Sequence, residues 1–239
     1  VAVDFVLGSL QTAALTSSLG VLRNITGCTL MTWINPTSTA GTEKMMLFFS
    51  TGASATNARA AITMRMGTGF RASARRLDAN SVSSVDGTTV PTVGTLCHVC
   101  GVFEWNNTVM RIYVNGIQEN SLTIAGWTGS SSDTDSSTAR MAGRAASDSG
   151  TNIGGVLDDV RVYNRALTAQ EVQIIANSRG RDSIVNGMVE RWKLQHASVG
   201  SDMGTAPSIG SNQGGAVGNS TPLIVAALNV STRRGGGDA

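Results

Sequence analysis

The 239 residues carry a net charge of +2 with 41% hydrophobic content. That is enough apolar material for one large core, and too little charge for an electrostatic footprint on nucleic acid. Charged residues make up only 14%, below the roughly 25% usual for soluble domains, so the surface is built from Ser, Thr, Gly and Asn or is covered by partners. Lysine occurs only at positions 44 and 193; Arg supplies the other basic residues. Arg is enriched, and Lys depleted, where proteins meet one another.

Val1-Ala-Val-Asp4-Phe5-Val6-Leu7 suits a short first strand. This start has neither a basic leader nor a long apolar segment, and no later stretch approaches the ~20 apolar residues of a membrane span. Removal of a signal peptide and loss of an initiator Met both fit it. Cys28 to Pro36 reads as a strand ended by its Pro, with Trp33 as a core residue. Met45 to Ser50 is an apolar run of core-strand length. Ala60 to Met66 alternates, turns at Gly67–Gly69 and returns as Phe70 to Arg76. The return places Arg71 and Arg75 on one strand face, where they can meet an anion or a partner.

Gly94 to Phe103 follows, containing Cys97-His98-Val99-Cys100. In a strand the two Cys point to opposite faces, and no second pair completes a metal site. The three cysteines, Cys28, Cys97 and Cys100, are therefore expected as reduced thiols. No carboxylate or nucleophile stands near His98 in sequence, which points to a packed, hydrogen-bonded core histidine rather than a catalyst. Trp105 lies in the next turn. Met110 to Val114 is a strand, Asn115-Gly116 is the residue pair of a type I′ turn, and Ile117 to Ser121 returns as a hairpin.

From Gly126 to Gly154 the composition shifts to Ser, Thr, Asp and Gly. A long loop or two short strands is expected, with Trp127 exposed and a strand at Met141 to Arg144. In Gly155 to Val172 a strand period gives way to a helix near 168–177. Thr168 and Glu171 have the spacing of a capping box, and Leu167 and Val172 that of a hydrophobic staple. Arg179-Gly180 fits the helix end. Asp158 shares parity with Val160 and Val162, so it is expected on an apolar face, where a carboxylate needs hydrogen bonds, an Arg or a cation. Gly187 to Leu194 reads as one more strand. The Gly/Ser-rich remainder is broken only by an apolar run at 223–228.

Four stretches, 28–36, 96–103, 111–116 and 155–172, occur in the order and rough spacing of LamG-like jelly-roll domains, the concanavalin-like group that includes laminin G and pentraxin modules, and the chain resembles that group over about residues 1–180. The resemblance implies an all-β, two-sheet antiparallel jelly-roll sandwich over 1–194. It leaves 195–239 as a low-complexity C-terminal extension that packs on the domain or on a neighbouring subunit. Trp33, His98, Asn115, Gly116, Asp158, Thr168 and Glu171 are then structural. Calcium is a possibility of the family, with Asp158 joined by Asp4 or by Asp133 and Asp135 as oxygen ligands.

The fold does not name a function. The paired carboxylates of a glycosidase, a Ser/His/Asp set and a phosphate loop are all missing, which argues against an enzyme. Two readings follow. In the first the protein is non-catalytic and virion-associated, a capsid decoration or appendage of a bacteriophage working through protein contacts or a homo-oligomer. In the second it is an extracellular carbohydrate-binding module whose Trp105 or Trp127 stacks on a sugar, with loop Asp and Asn side chains accepting hydroxyls. Arg71 and Arg75 serve the partner or glycan in either case.

Overall fold

The computed structural model describes residues 3–5, 12–15, 19–38, 41–52, 54–144, 150–193 and 223–224. These form fourteen strands, a short 3-10 turn at Ala55–Asn57 and one α-helix, arranged as two antiparallel sheets packed face to face.

The larger sheet contains β1 (Val3–Phe5), β3 (Gly27–Pro36), β8 (Cys97–Glu104), β9 (Val109–Val114), β10 (Ile117–Thr123), β12 (Gly155–Tyr163), β13 (Met188–Trp192) and β14 (Leu223–Ile224), in the order β10-β9-β8-β3-β12-β1-β14. One edge of β12 is divided: its first half pairs with β1 and its second half with β13. The smaller sheet runs β2 (Ala13–Ala14), β11 (Thr138–Met141), β4 (Glu43–Ser50), β5 (Ala58–Arg65), β6 (Gly69–Ala74) and β7 (Ser83–Asp86).

Alternation decides what each face of the larger sheet buries. Leu30 and Ile34 of β3, Val99 and Phe103 of β8, and Met110 and Ile112 of β9 point between the sheets. There they meet Met46, Phe49, Ile62 and Phe70 of the smaller one. The other face is apolar at one end: Met31, Cys100, Val102, Tyr113 and Tyr163 pack under Leu167, which precedes the helix, and under Val172 and Ile175 of α1 (Ala169–Ser178). Cys97 and Cys100 accordingly fall in different clusters, and all three cysteines are free and buried.

The helix begins as its sequence predicts. Thr168 Oγ1 accepts from Glu171 N–H at 3.2 Å, and Glu171 Oε2 accepts from Thr168 N–H at 2.8 Å. The helix ends on Arg179 in the left-handed region, followed by Gly180 at φ +82°. The Asn115-Gly116 turn has φ of +51° and +82°, and its lack of a side chain also matters. A Cβ on Gly116 would lie 3.0 Å from Ala176 Cβ and 3.1 Å from Gln173 Cα, so glycine lets the hairpin tuck against the helix.

Several strands differ from expectation. β11 ends at Met141, where a strand was expected to begin, because Ala142 turns into the left-handed region at φ +63°. β2 and β7 carry too few apolar residues to announce themselves. Of the C-terminal extension expected over 195–239, only Leu223–Ile224 lies within the described residues, as a backbone partner of β1.

The largest difference lies in β12. Asp158 pairs with Trp33 of β3, but Arg161 pairs with Met31, so β12 spends three steps where β3 spends two. The extra residue is a bulge, and Asp159 takes φ +45° within it. The bulge shifts the side-chain phase, so Leu157, Val160 and Val162 all reach the central core. Asp158, expected to share their face, instead points out beside Trp33.

Candidate functional site

Trp33 lies on the outer face of the larger sheet because its strand alternates. It is only half-buried, whereas Trp105, Trp127 and Trp192 are 0%, 2% and 0% exposed. This reverses the expectation that Trp33 packs in the core while Trp105 and Trp127 offer surface platforms. Trp105 stacks near Phe103 with centroids 6.4 Å apart, and Trp127 meets it edge-on at 6.2 Å. The polar stretch after Gly126 thus contributes one anchor to the core instead of a platform to solvent.

Neighbouring strands flank Trp33 on the same face. On one side is His98, its cross-strand partner on β8, with ring centroids 5.2 Å apart and a 55° tilt. On the other is Asp158 of β12. His98 is 1% exposed and its backbone N–H donates to Asn115 Oδ1 at 2.9 Å. Neither ring nitrogen has a hydrogen-bond partner among the described residues, so the expected hydrogen-bonded ring is not what forms. Burial, reinforced by the positive Arg161 nearby, lowers its pKa to about 4, and the ring is neutral at physiological pH.

Asp158 Oδ1 accepts from Asp159 N–H at 2.7 Å, and no cation pairs with its carboxylate among the described residues. Burial raises its pKa. Asp133 and Asp135, proposed above as calcium co-ligands, pair instead with Arg23 at 2.7 and 3.7 Å. Among the described residues no cluster of three His, Cys, Asp or Glu gathers that could hold a metal ion. Asp4's side chain lies outside the described residues.

Beneath this surface the helix end is tied to β12 and β13. Arg161, fully buried, donates to Asp159 at 3.1 and 2.6 Å and to Asp182 at 2.8 Å twice. Arg191 donates to Asp159 at 2.7 Å and to Gly180 O at 2.8 Å. Burial opposes each charge here, but the paired hydrogen bonds outweigh it: Arg161 is held above its usual range, and Asp182 falls to about 2. Gly180 is required, since a Cβ there would sit 2.8 Å from Asp159 Oδ2.

Above that floor runs a groove of three adjoining cavities that share Arg179. The first, about 240 Å³, is bounded by Trp33, Leu96, Val156 and Asp158. The second, about 350 Å³, extends toward Asn115 and Asn177. The third, about 220 Å³, lies beside Arg181, Arg191 and Lys193. Such a surface offers an aromatic face for an apolar ring, a carboxylate and two amides for hydroxyls, and cations beyond them.

The two arginines expected to meet a partner stand elsewhere. Arg71 donates to both oxygens of Asp86, at 2.7 and 2.9 Å, with Glu43 3.7 Å away. Arg75 is 5% exposed, bonded to Asp78 O and to Thr51 Oγ1. The first is neutralised and the second buried, so neither joins the groove.

Comparison with curated proteins returns no match. Among solved structures, the chain is similar to a heptameric SAP-like pentraxin of Limulus polyphemus, with TM-score 0.59, 17% identity, and coverage of 75% of this chain and 82% of that one. It is similar to the CBM40 of the Ruminococcus gnavus IT-sialidase bound to α2,3-sialyllactose, with TM-score 0.60, 16% identity, and coverage of 73% and 95%. A candidate carbohydrate-binding protein of Bacteroides ovatus matches with TM-score 0.62 at 15% identity over 82% of this chain; the match spans 52% of that protein. At these identities the likeness is one of fold. The family model described as the concanavalin A-like lectin/glucanases superfamily matches residues 8–173, and the chain belongs to that superfamily.

Proposed function

We propose that this protein is a non-catalytic carbohydrate-binding module and that the groove around Arg179 holds the sugar. One observation carries the reading: of four tryptophans, the only one that reaches the surface lies between a carboxylate that makes no ion pair among the described residues and the amides of Asn115 and Asn177. Stacking of an indole on the apolar face of a pyranose, with polar side chains at the ring's edge, is the chemistry such an arrangement offers. The glycan-binding solved relatives of the same fold are in keeping with it.

A glycosidase needs two carboxylates free to act as acid and nucleophile or base. Asp159 is the second carboxylate in the groove, and Arg161 and Arg191 occupy its oxygens. The reading carries with it an extracellular location. Assembly into a virion draws no support from the comparisons. Among the described residues no helix is long and apolar enough to cross a membrane.

A glycan array followed by calorimetry tests the proposal. Trp33→Ala should weaken binding at least about tenfold, by analogy with the ~1–3 kcal/mol that a nucleic-acid base gains from stacking on an aromatic side chain, while a melt shows the fold intact. An array without ligands, or affinity unchanged in Trp33→Ala, overturns it.

A further inference from the structure

Nearly every charge described in this protein is spent on another charge or on a carbonyl. Arg23, Arg59, Arg65, Arg71, Arg111 and Arg165 each pair with a carboxylate. Arg76 donates to the carbonyls of Gly126 and Ser130, and Arg140 to Thr12 Oγ1. Three cations are exceptions: Arg179, Arg181 and Lys193 make no ion pair or side-chain hydrogen bond among the described residues. All three line the same end of the groove.

Chance scatter would distribute unpaired cations over the surface, and here a chain with so few charges leaves them together. The feature is costly to the fold alone, because like charges crowded at one site repel. Asp158, which makes no ion pair among the described residues and lines both the aromatic and the cationic cavity, does not cancel three cations. Arg191, between them, is committed to Asp159 and Gly180. The groove therefore has an electrical direction, from an aromatic and hydroxyl-accepting end to a cationic end.

We infer that the sugar held in this groove is anionic: one ring stacks on Trp33 and a carboxylate or sulfate on the same oligosaccharide reaches Arg179, Arg181 and Lys193. This deepens the carbohydrate-binding reading and rests on it. Arg181 is exposed and Lys193 half-buried, so both side chains can adjust to either group. Arg is suited to planar, two-pronged capture of such oxygens, and Lys acts as a point charge.

The test uses the full chain and three oligosaccharides of equal length: a neutral one, a hexuronate-containing one and a sulfated one. Calorimetry at 50 and 300 mM NaCl reads the affinities. The inference expects an acidic ligand to bind at least about tenfold tighter than the neutral one at low salt, with the advantage shrinking at high salt. The Arg181→Ala/Lys193→Ala double variant should remove that advantage while leaving the neutral ligand's affinity and the melting temperature unchanged. Arg181→Lys/Lys193→Arg should retain most of it. The hexuronate and the sulfated arms separate the two anion types. Equal affinity for neutral and acidic ligands, or an advantage that survives the double alanine variant, overturns the inference and leaves the carbohydrate reading standing. Binding of none of the three removes both.

Discussion

At the scale of single residues, the four tryptophans show what composition cannot. A Trp beside Ile-Asn-Pro in a strand reads as core, and Trp beside Gly or Asn in a turn reads as surface; the fold assigns them the other way. Trp33 is only half-buried because the helix covering its sheet stops at Ser178, and a helix end is not visible from a residue over a hundred positions away. His98 is the other residue with a measurable signature. Its pKa is lowered in the folded state to about 4, from an unfolded value near 6.5, so the unfolded chain binds the proton first. Stability should therefore be full above pH 6.5 and fall as pH drops toward 4, by on the order of 3 kcal/mol. The folded carboxylates with lowered values, Asp182 and Glu171 at about 2, contribute losses only below the unfolded carboxylate range, and Asp158, whose value burial raises, acts in the opposite direction, so a loss between pH 6.5 and 5 belongs to the histidine. Urea midpoints of the protein and of His98→Met across that window check this. The variant should lose that fall and be no less stable at pH 7, since it removes a buried polar ring without a hydrogen-bond partner among the described residues.

At the scale of elements, the helix and the hairpin were legible because their signals are local. A capping box needs residues three apart, and a type I′ turn needs two in a row. The bulge in β12 is local too, but its signal is faint: Asp is tolerated at positive φ, and nothing else marks Asp159. Missing it inverted the direction of Asp158. The cluster that the bulge creates was beyond sequence reading, since it joins Arg161 to Asp182 and to Arg191 on separate elements. Asp182→Ala leaves the buried Arg161 with one carboxylate shared with Arg191, and should cost about 3 kcal/mol in a urea titration. Removing the pair together, as Arg161→Met/Asp182→Leu, leaves Asp159 matched to Arg191 and should recover most of that loss. A double variant no better than the single one would mean the cluster holds the fold by more than charge balance.

At the scale of the whole molecule, the sandwich was readable from strand period and order, but the groove was not. Its residues, Trp33, Leu96, Asp158, Arg179 and Lys193, come together only through strand pairings that span most of the chain. The same holds for the clasp between the two sheets. Glu119, at a bulge in the edge strand β10, accepts from Thr88 N–H at 2.8 Å, from Thr89 N–H at 3.1 Å and from the Thr89 hydroxyl. Glu119→Ala should cost about 1–2 kcal/mol and speed hydrogen exchange at Thr88 and Thr89 before the rest of the sheet. The divided edge of β12 sets a schedule as well as a shape. β1 has described partners only in β12 and β14, so Val3–Phe5 finds no place until residue 157 has been made. At ~5–20 residues per second, that interval is roughly 8 to 30 s of synthesis. The central strand β3 likewise waits for β12 to fill its second side. A nascent chain therefore carries an open sheet edge from the synthesis of β3 until that of β12, and the strand that flanks the groove's Trp33 is the one whose arrival ends that exposure.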